Sequence, residues 1–578
     1  MRKLRLPAIC CALAVLVCEL ISRPYANIGI SDDGPYILMA QTLASTGHIV
    51  YNGWAAAMIG WQLYIGAAFI KLFGFSFTAV RMSTLFVSLA TAFLLQRTLV
   101  RCGITERNAV VATLALALSP LYLLLSVTYM SDLFGLFAML ICLYGCLRTL
   151  QAATPHNAIL WLCFAVATNA FFGTARQIAW LGVLVMVPST LWLLRTQRRV
   201  LIAGCITTLA GALSIYACVQ WLKHQPYVLP PQPLPHTFSV LSSVLTLIYF
   251  LLAIPFLVLP IMAIFLPSLR KTRPTIIAAL ALFLLGYLFL GIYPSHLRGG
   301  FPLEPTMGGG GNWISVHGIH EGLHLQGNAP LFLNVPAQVL ITIICFGGFF
   351  AVLLSLLQRG RVQPHRAVPS LQSAREVSWK QLAILLVPFA LAYTALLIPR
   401  TATGWIYDRY TLELGVVALI FLVRYYQETF HPRIPLLGIA LVAAMAFLGV
   451  AITHNHFSLY RARVTLAAEL HANGIPDTLI DQGFEQNFIV ELQNADHIND
   501  ATIVFPSNAY VPAPPLPAGT CKMFWHEKTP SITPLYGISF DPNACYSLAP
   551  FAPVHYTRWL ASTPETLYVV RYVPPEGR

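Results

Sequence analysis

The sequence predicts an all-α membrane bundle of about 13 transmembrane helices, followed by a small extracytoplasmic α/β domain. Its composition is the first reason: 57% of the 578 residues are hydrophobic and only 10% are charged, against about 25% charged residues in a typical soluble domain. The second reason is a sharp division of the chain. Up to residue 453 apolar runs of membrane-spanning length follow one another, whereas no such run occurs later, where 11 of the 22 acidic residues lie. We therefore predict a polytopic membrane domain over 1–453 and a soluble extracytoplasmic domain over 454–578.

The distribution of positive charge predicts the topology. The predicted spans are 6–22, 79–99, 107–125, 132–149, 158–173, 178–194, 200–220, 241–267, 275–293, 335–357, 380–398, 411–425 and 434–452. If the N-terminus is cytoplasmic, the inner segments contain 20 of the 35 Lys and Arg residues and only three acids, as the positive-inside rule requires. This predicts a multi-pass protein of a plasma (inner) membrane, with its C-terminal domain outside. The net charge of +13 is then a topology signal, and no basic patch interleaved with aromatic residues indicates nucleic acid.

Two long outer loops, 23–78 and 294–334, precede the C-terminal domain. The first contains an amphipathic stretch over 35–46 and an apolar stretch over 58–73. A fourteenth span over 58–73 is the alternative, but it would invert the charge pattern downstream, so we predict for this stretch a helix lying at the membrane interface. The second is rich in Gly, His and Pro. Both loops are long enough to carry functional residues.

The C-terminal domain has its own local signals. The segments 502–505 and 566–570 are predicted to be strands. Its only cysteines are Cys521 and Cys545, which favours a disulfide on the oxidising side of the membrane. Three acids that recur at helical spacing are predicted to form a solvated face: Asp477, Asp481 and Glu485.

Ionisable residues near the predicted outer ends of spans form the candidate site. The acids are Glu19, Asp32, Asp33, Asp132, Glu304, Glu321, Asp408 and Glu413, and the arginines are Arg81, Arg176, Arg298, Arg400 and Arg409. Charge near a bilayer is costly and often functional. A carboxylate can take a proton from an acceptor hydroxyl, and arginines can hold a phosphate leaving group. The alternative is that each is a solvated loop charge, but their common side favours one site.

Several short motifs on that side occur in a definite order. They are Ser31-Asp32-Asp33-Gly34-Pro35-Tyr36, Tyr129-Met130-Ser131-Asp132, Ala175-Arg176-Gln177 and Asp408-Arg409-Tyr410. Together they resemble the GT-C glycosyltransferases, which include the protein O-mannosyltransferases and the bacterial aminoarabinose transferase acting on lipid A. In that family the first outer loop carries Asp followed by Glu or Asp, with a Tyr three residues after the second acid.

The resemblance implies a hexosyl- or pentosyltransferase that moves a sugar, with inversion, from a polyprenyl-phosphate carrier to a lipid, glycan or protein acceptor. Asp32 and Asp33 would be catalytic, with Asp32 as the general base. Asp33 and Asp132 would orient the acceptor or bind a metal, so a divalent metal is an open alternative to a reaction without a cofactor. The predicted substrate-binding residues are Asp132, Arg176, Arg298, Trp405, Asp408, Arg409 and Tyr410. The segment 55–60 lacks the Pro-rich, Lys-containing motif of many members, which argues against aminoarabinose transfer.

One motif favours a different chemistry. His320-Glu321-Gly322-Leu323-His324 fits the HExxH pattern of zinc metalloproteases, in which His320 and His324 would bind the metal and Glu321 would activate water. Glycines at 318 and 322 argue against the regular helix that this site needs. A metal of another role and an acceptor groove are alternatives for the same loop. A transporter or polysaccharide-export protein is a third hypothesis, although transporters tend to place acids near the bilayer midplane.

Overall fold

The computed structural model describes residues 5–230, 239–292, 314–315, 318–319, 324–357, 377–403, 406–561 and 563–574. Five residues of the predicted sites lie outside these ranges: Arg298, Glu304, His320, Glu321 and Trp405. So does most of the predicted second outer loop.

The described chain is mainly helical. In its first half the helices are α1 Leu6–Ser22, α2 Asp33–Thr46, α3 Gly60–Phe73, α4 Phe77–Arg101, α5 Glu106–Ala117, α6 Pro120–Ser126, α7 Asp132–Leu150, α8 Pro155–Phe172, α9 Val187–Leu193 and α10 Arg198–Lys223. In its second half they are α11 Val240–Leu257, α12 Leu259–Ala263, α13 Pro274–Ile292, α14 Val335–Leu357, α15 Trp379–Thr403, α16 Leu412–Thr429, α17 Leu436–Ala472 and α18 Phe484–Ala495.

Seven of the described helices are long and apolar enough to cross a membrane, and an eighth span results if the bent pair α5 and α6 is counted as one. The seven are α4, α7, α8, α10, α14, α15 and α17. The protein is therefore a multi-pass membrane protein, although the predicted count of 13 spans is not confirmed. One reason is that some predicted spans are broken. Pro120 begins α6 after the Ser119 cap, and because proline has no N–H the helix turns there by 70°.

The membrane bundle is packed around α7. This helix buries side chains around its whole circumference and contacts α4 and α8, which is the behaviour of a helix surrounded by other helices. At Gly145 the approach of α8 is so close that an added methyl group would lie 2.7 Å from the Cβ atom of Ala165. Small residues at such crossings let helices pack without a hydrophobic driving force in lipid.

The segment after α1 folds onto the bundle. The amphipathic stretch over 35–46 forms α2, and the helix predicted over 58–73 is present as α3. The chain between them contacts the C-terminal part of the protein, since the Ile498 N–H donates to the Asn52 carbonyl at 2.9 Å. The first loop and the C-terminal domain therefore form one packed unit.

Two sheets lie within the described residues. β1 Ile314–Ser315 and β2 Gly318–Ile319 form an antiparallel pair. The C-terminal domain contains the strands β3 Ile480–Asp481, β4 Tyr536–Ser539, β5 Ser547–Leu548, β6 Val554–Tyr556 and β7 Glu565–Arg571. Their order is β3-β4-β7-β5, with β6 paired to β7 and only β3 and β4 parallel. β7 is the central strand, so the apolar alternation of 566–570 belongs to the middle of the sheet.

The strand predicted over 566–570 is confirmed as β7, but the one predicted over 502–505 is wrong. The reason is local hydrogen bonding. The Asp500 carboxylate accepts from the Thr502 N–H at 2.8 Å and from its hydroxyl at 2.7 Å. Such an Asx turn competes with strand pairing. The disulfide between Cys521 and Cys545 is present, with the two Cα atoms 5.9 Å apart.

The predicted solvated face is wrong for Asp481 and Glu485, which are both buried. Gly483 lies between them with a φ of 89°, so the spacing is not that of one helix. Asp481 accepts hydrogen bonds from Asn487 and Tyr572. Glu485 pairs with Arg463 at 3.1 Å. Both acids therefore tie the C-terminal domain together.

Candidate active site

A tight turn before α2 presents two adjacent aspartates. The Asp33 N–H donates to the Ile30 carbonyl at 3.1 Å, and Ser31 lies at a φ of 54°. This left-handed conformation is uncommon for a residue with a side chain and is typical of constrained, functional turns. The turn sends the side chains of Asp32 and Asp33 into very different environments.

Asp33 is fully buried and held by four hydrogen bonds. Arg81 donates to it through Nε at 2.7 Å and through Nη2 at 3.0 Å. Two backbone N–H groups complete the set, from Ile30 at 2.8 Å and from Tyr129 at 3.2 Å. Neither the Asp33 nor the Arg81 side chain is exposed. A carboxylate bound in this way is suited to holding structure rather than to accepting a proton.

Arg81 also fixes the chain that leads into the turn. Its guanidinium donates to the carbonyl of Ala26 at 2.9 Å and to that of Ile28 at 2.5 Å. One arginine on α4 thus binds three points of the segment 26–33. The position of Asp32 depends on this clamp, because Asp32 directly precedes the clamped residue.

Asp32 faces an accessible surface. Its side chain is 23% exposed, and Arg409 Nη2 donates to its Oδ2 at 3.1 Å. Burial raises the pKa of Asp32 above the ordinary aspartate value; Arg409 lowers it, and the nearby charges of Asp132 and Asp33 raise it. A carboxylate with a raised pKa and an open side is a suitable general base.

A second ion pair lies beside the first. Arg176, in the turn that follows α8, forms an ion pair with Asp132 at the start of α7. Gly135 makes room for this arginine, since an added methyl group would lie 2.9 Å from the Arg176 Cδ atom. Asp132 also influences Asp32 and Arg409 electrostatically. The two acids and two arginines therefore form one charged cluster.

Tyr410 lies at the centre of the arginines. The Cζ atoms of Arg176, Arg400 and Arg409 lie 4.8, 5.5 and 5.7 Å from its ring centroid. Arg409 also lies over the Tyr407 ring at 4.6 Å. Aromatic faces attract cations, so these rings hold guanidinium groups close together despite their repulsion. Grouped guanidinium groups are suited to binding a phosphate.

The Asp408 carboxylate links two backbone segments beside the charged cluster. Its Oδ2 accepts from the Ile314 N–H at 3.0 Å, and its Oδ1 accepts from the Arg409 N–H at 2.9 Å. It is 6% exposed. Asp408 therefore joins β1 to the 3-10 turn Asp408–Thr411 that carries Arg409 and Tyr410.

The structure brings together Asp32, Asp132, Arg176, Arg409 and Tyr410, whose side chains come from four separate parts of the chain. Two further neighbours, Tyr393 and Glu413, were not among the predicted catalytic and substrate-binding residues, although Glu413 was one of the candidate acids. The Tyr393 hydroxyl contacts the Tyr410 carbonyl at 3.0 Å and the Glu413 carboxylate at 2.9 Å. Glu413 had a usable signal, an acid at the predicted outer end of a span. Tyr393 had none, because an aromatic residue within an apolar run is ordinary.

The HExxH histidines are only partly described. His324 stacks on Phe524 with ring centroids 4.0 Å apart and meets Phe484 edge-on at 5.0 Å. Among the described residues no group of three or more His, Cys, Asp or Glu side chains is placed to hold a metal ion. A zinc site at His320 and His324 stays a prediction.

No family model matches the chain, and no match was found among curated proteins. Among solved structures, ArnT from Cupriavidus metallidurans in the apo state is 13% identical, with a TM-score of 0.41 and 97% of each chain covered. The same protein bound to undecaprenyl phosphate is 14% identical, with a TM-score of 0.40, covering 98% of this chain and 99% of that one.

The protein O-mannosyltransferase Pmt1-Pmt2 complex of S. cerevisiae, bound to the sugar donor, is 15% identical, with a TM-score of 0.34. This match covers 40% of the present chain and 35% of the mannosyltransferase chain. An oligosaccharyltransferase and an arabinosyltransferase also have similar structures. The structures that this chain is similar to thus include glycosyltransferases.

Proposed function

We propose that this protein is a glycosyltransferase that moves a sugar from a polyprenyl-phosphate carrier to an acceptor on the outer face of the plasma membrane. The observation that carries the proposal is the Asp32 carboxylate, which is 23% exposed and lies 3.1 Å from Arg409. Arg409 in turn belongs to the group of three arginines around Tyr410. A base beside a phosphate-binding group is what sugar transfer from a lipid phosphate requires.

In the proposed reaction Asp32 removes the proton of an acceptor hydroxyl. The acceptor oxygen forms a bond to the anomeric carbon of the sugar, and the bond from that carbon to the phosphate oxygen breaks. Polyprenyl phosphate leaves with the bonding electron pair. Arg176 and Arg409 hold the negative charge that develops on it, which lowers the barrier through charge-assisted hydrogen bonds. Attack from the side opposite the phosphate inverts the anomeric centre.

The two adjacent aspartates have separate roles in this proposal. Asp33 holds the turn through Arg81, whereas Asp32 is the catalytic base. Asp132 is a positioning residue that orients Arg176. Trp405 and Arg298 stay predicted substrate contacts. The transferred sugar is a hexose or pentose, and the acceptor is a lipid, a glycan or a protein.

The first experiment compares purified wild-type protein with Asp32→Asn and with His320→Ala, each supplied with radiolabelled polyprenyl-phosphate sugars. Glu428→Gln is a matched control, because Glu428 is a partly exposed acid on α16 that pairs with Arg424 and not with a residue of the charged cluster. We expect wild type, His320→Ala and Glu428→Gln to release free polyprenyl phosphate. We expect Asp32→Asn to lose at least a hundredfold in rate, the lower range for a general base.

The other hypotheses give different outcomes. A zinc protease would need His320 and tolerate Asp32→Asn. A transporter would move the labelled lipid or sugar across a vesicle membrane without releasing polyprenyl phosphate. If no donor is consumed, or if Asp32→Asn equals wild type, the proposed function is wrong.

A further inference from the structure

Two glycines bracket the turn that carries Asp32 and Asp33. A methyl group placed on Gly29 would lie 2.8 Å from the Cδ1 atom of Ile489, and one placed on Gly34 would lie 3.1 Å from the same atom. The Cα atom of Gly34 is itself 3.4 Å from the methyl position of Gly29. The two glycines therefore form a shallow hole that the end of the Ile489 side chain fills. Ile489 is 3% exposed.

Ile489 belongs to α18 of the C-terminal domain, and this helix is also fixed one turn before Ile489. Glu485, one turn earlier, pairs with Arg463 of α17 at 3.1 Å, and both side chains are buried. The Tyr460 hydroxyl also donates to Glu485. Because α17 extends from the membrane bundle, α18 cannot move without breaking a buried charged contact. The position of Ile489 relative to the turn is therefore fixed.

A second connection reaches the same turn. The Asn52 amide donates to the Pro35 carbonyl in the first turn of α2 at 2.9 Å. The Asn52 carbonyl accepts from the Ile498 N–H at 2.9 Å. Trp54 packs on Phe488 of α18 with ring centroids 4.5 Å apart. The chain around Asp32 therefore contacts the C-terminal domain at several points.

The turn lies between two supports. On the side of the membrane bundle, Arg81 binds Asp33 of the turn. On the side of the C-terminal domain, Ile489 packs against Gly29 and Gly34. Asp32 sits between these supports and points to Arg409. We propose that Ile489 is a positioning residue for the Asp32 carboxylate, so that the C-terminal domain completes the catalytic site. This inference rests on the proposed function only where it concerns catalysis.

The test uses complementary substitutions in the full-length protein. Gly29→Ala adds a methyl group against Ile489 Cδ1, and Ile489→Val removes that carbon atom. We expect Gly29→Ala to lower kcat at least fivefold with the KM for the donor changed by less than twofold. We expect the double variant to return to within twofold of Ile489→Val. Because displacement of Asp32 from Arg409 weakens the charge that lowers its pKa, the acid limb of kcat/KM in Gly29→Ala should also move to higher pH.

Hydrogen exchange of the amides over 29–36 tests the packing without turnover. Ile489→Ala should speed that exchange at least tenfold. Val490→Ala is the matched control, because Val490 on the same helix packs against Met523 and Ile532 instead, and it should leave these amides unchanged.

The outcomes separate the two proposals. Unchanged exchange in Ile489→Ala, or a double variant no better than Gly29→Ala, overturns the positioning role. So does faster exchange with a wild-type kcat and pH profile. If exchange is faster in Ile489→Ala but the wild-type protein consumes no donor, the packing result stands, whereas the proposed function and the catalytic part of this inference are both overturned.

Discussion

Replacing Arg81 with methionine should destabilise the protein far more than replacing Asp32 with asparagine. Arg81→Met leaves the buried Asp33 carboxylate with only two of its four hydrogen bonds, those from Ile30 and Tyr129. It also removes the donors to the carbonyls of Ala26 and Ile28. Asp32→Asn, in contrast, removes a partly exposed charge that burial disfavours.

The expected change in the free energy of unfolding depends on which buried groups lose their hydrogen-bond or ion-pair partners. Removing one member of a buried ion pair costs about 3–5 kcal/mol, because the other charge stays buried. Neutralising the carboxylate removes the unpaired buried charge, so Arg81→Met combined with Asp33→Asn should recover part of that loss, because the amide oxygen can still accept from one of the N–H groups of Ile30 and Tyr129. The recovery should be incomplete, since two backbone carbonyls still lack a donor at about 1–3 kcal/mol each. For Asp32→Asn we expect a change within about 1 kcal/mol.

The assay is unfolding in mixed detergent micelles, followed by tryptophan fluorescence as the fraction of denaturing detergent rises. The four proteins needed are wild type, Arg81→Met, the double variant and Asp32→Asn. If Arg81→Met unfolds at the wild-type midpoint, the Asp33–Arg81 pair does not stabilise the turn. If the double variant is less stable than Arg81→Met, the unpaired carboxylate is not the cause of the loss.

Two further predictions concern protonation and the disulfide. Deprotonation of Asp32 should raise kcat/KM with increasing pH, and the midpoint should lie above the ordinary aspartate value because burial raises the pKa of Asp32. Arg409→Gln should move this midpoint still higher, since Arg409 lowers that pKa; a midpoint that moves down would contradict the assignment. Reduction of Cys521–Cys545, which closes a chain separation of 24 residues, should destabilise the C-terminal domain by about 3.5 kcal/mol on the loop-entropy model. Thermal unfolding with and without reductant measures this, and an unchanged midpoint would refute it.

Much of the candidate site followed from the sequence because membrane topology places span ends on a common side. Asp32, Asp132, Arg176 and Arg409 are far apart in the chain, yet they meet in the structure. The positive-inside pattern and short motifs were enough to group them. Sequence reasoning could not assign the pairs, since which arginine binds which acid depends on helix packing.

The C-terminal domain was harder to predict because local hydrogen bonds override residue patterns there. The 502–505 segment has the apolar composition of a strand, but Asp500 turns its backbone. Asp481 and Glu485 have a helical spacing, but Gly483 separates a strand from a helix between them. Side chains four residues apart identify a shared face only if one helix contains both.

The contrast between Asp32 and Asp33 also explains why a base would have a buried acid beside it. A partly buried carboxylate with a raised pKa is less favourable in the folded state than in the unfolded one, so a catalytic Asp32 costs stability. A turn with Ser31 in the left-handed region adds strain. Both of these free-energy costs arise in the turn that Asp33, Arg81 and Ile489 hold in place. We infer that the strong contacts around the turn offset the free-energy cost of holding the Asp32 carboxylate in its position.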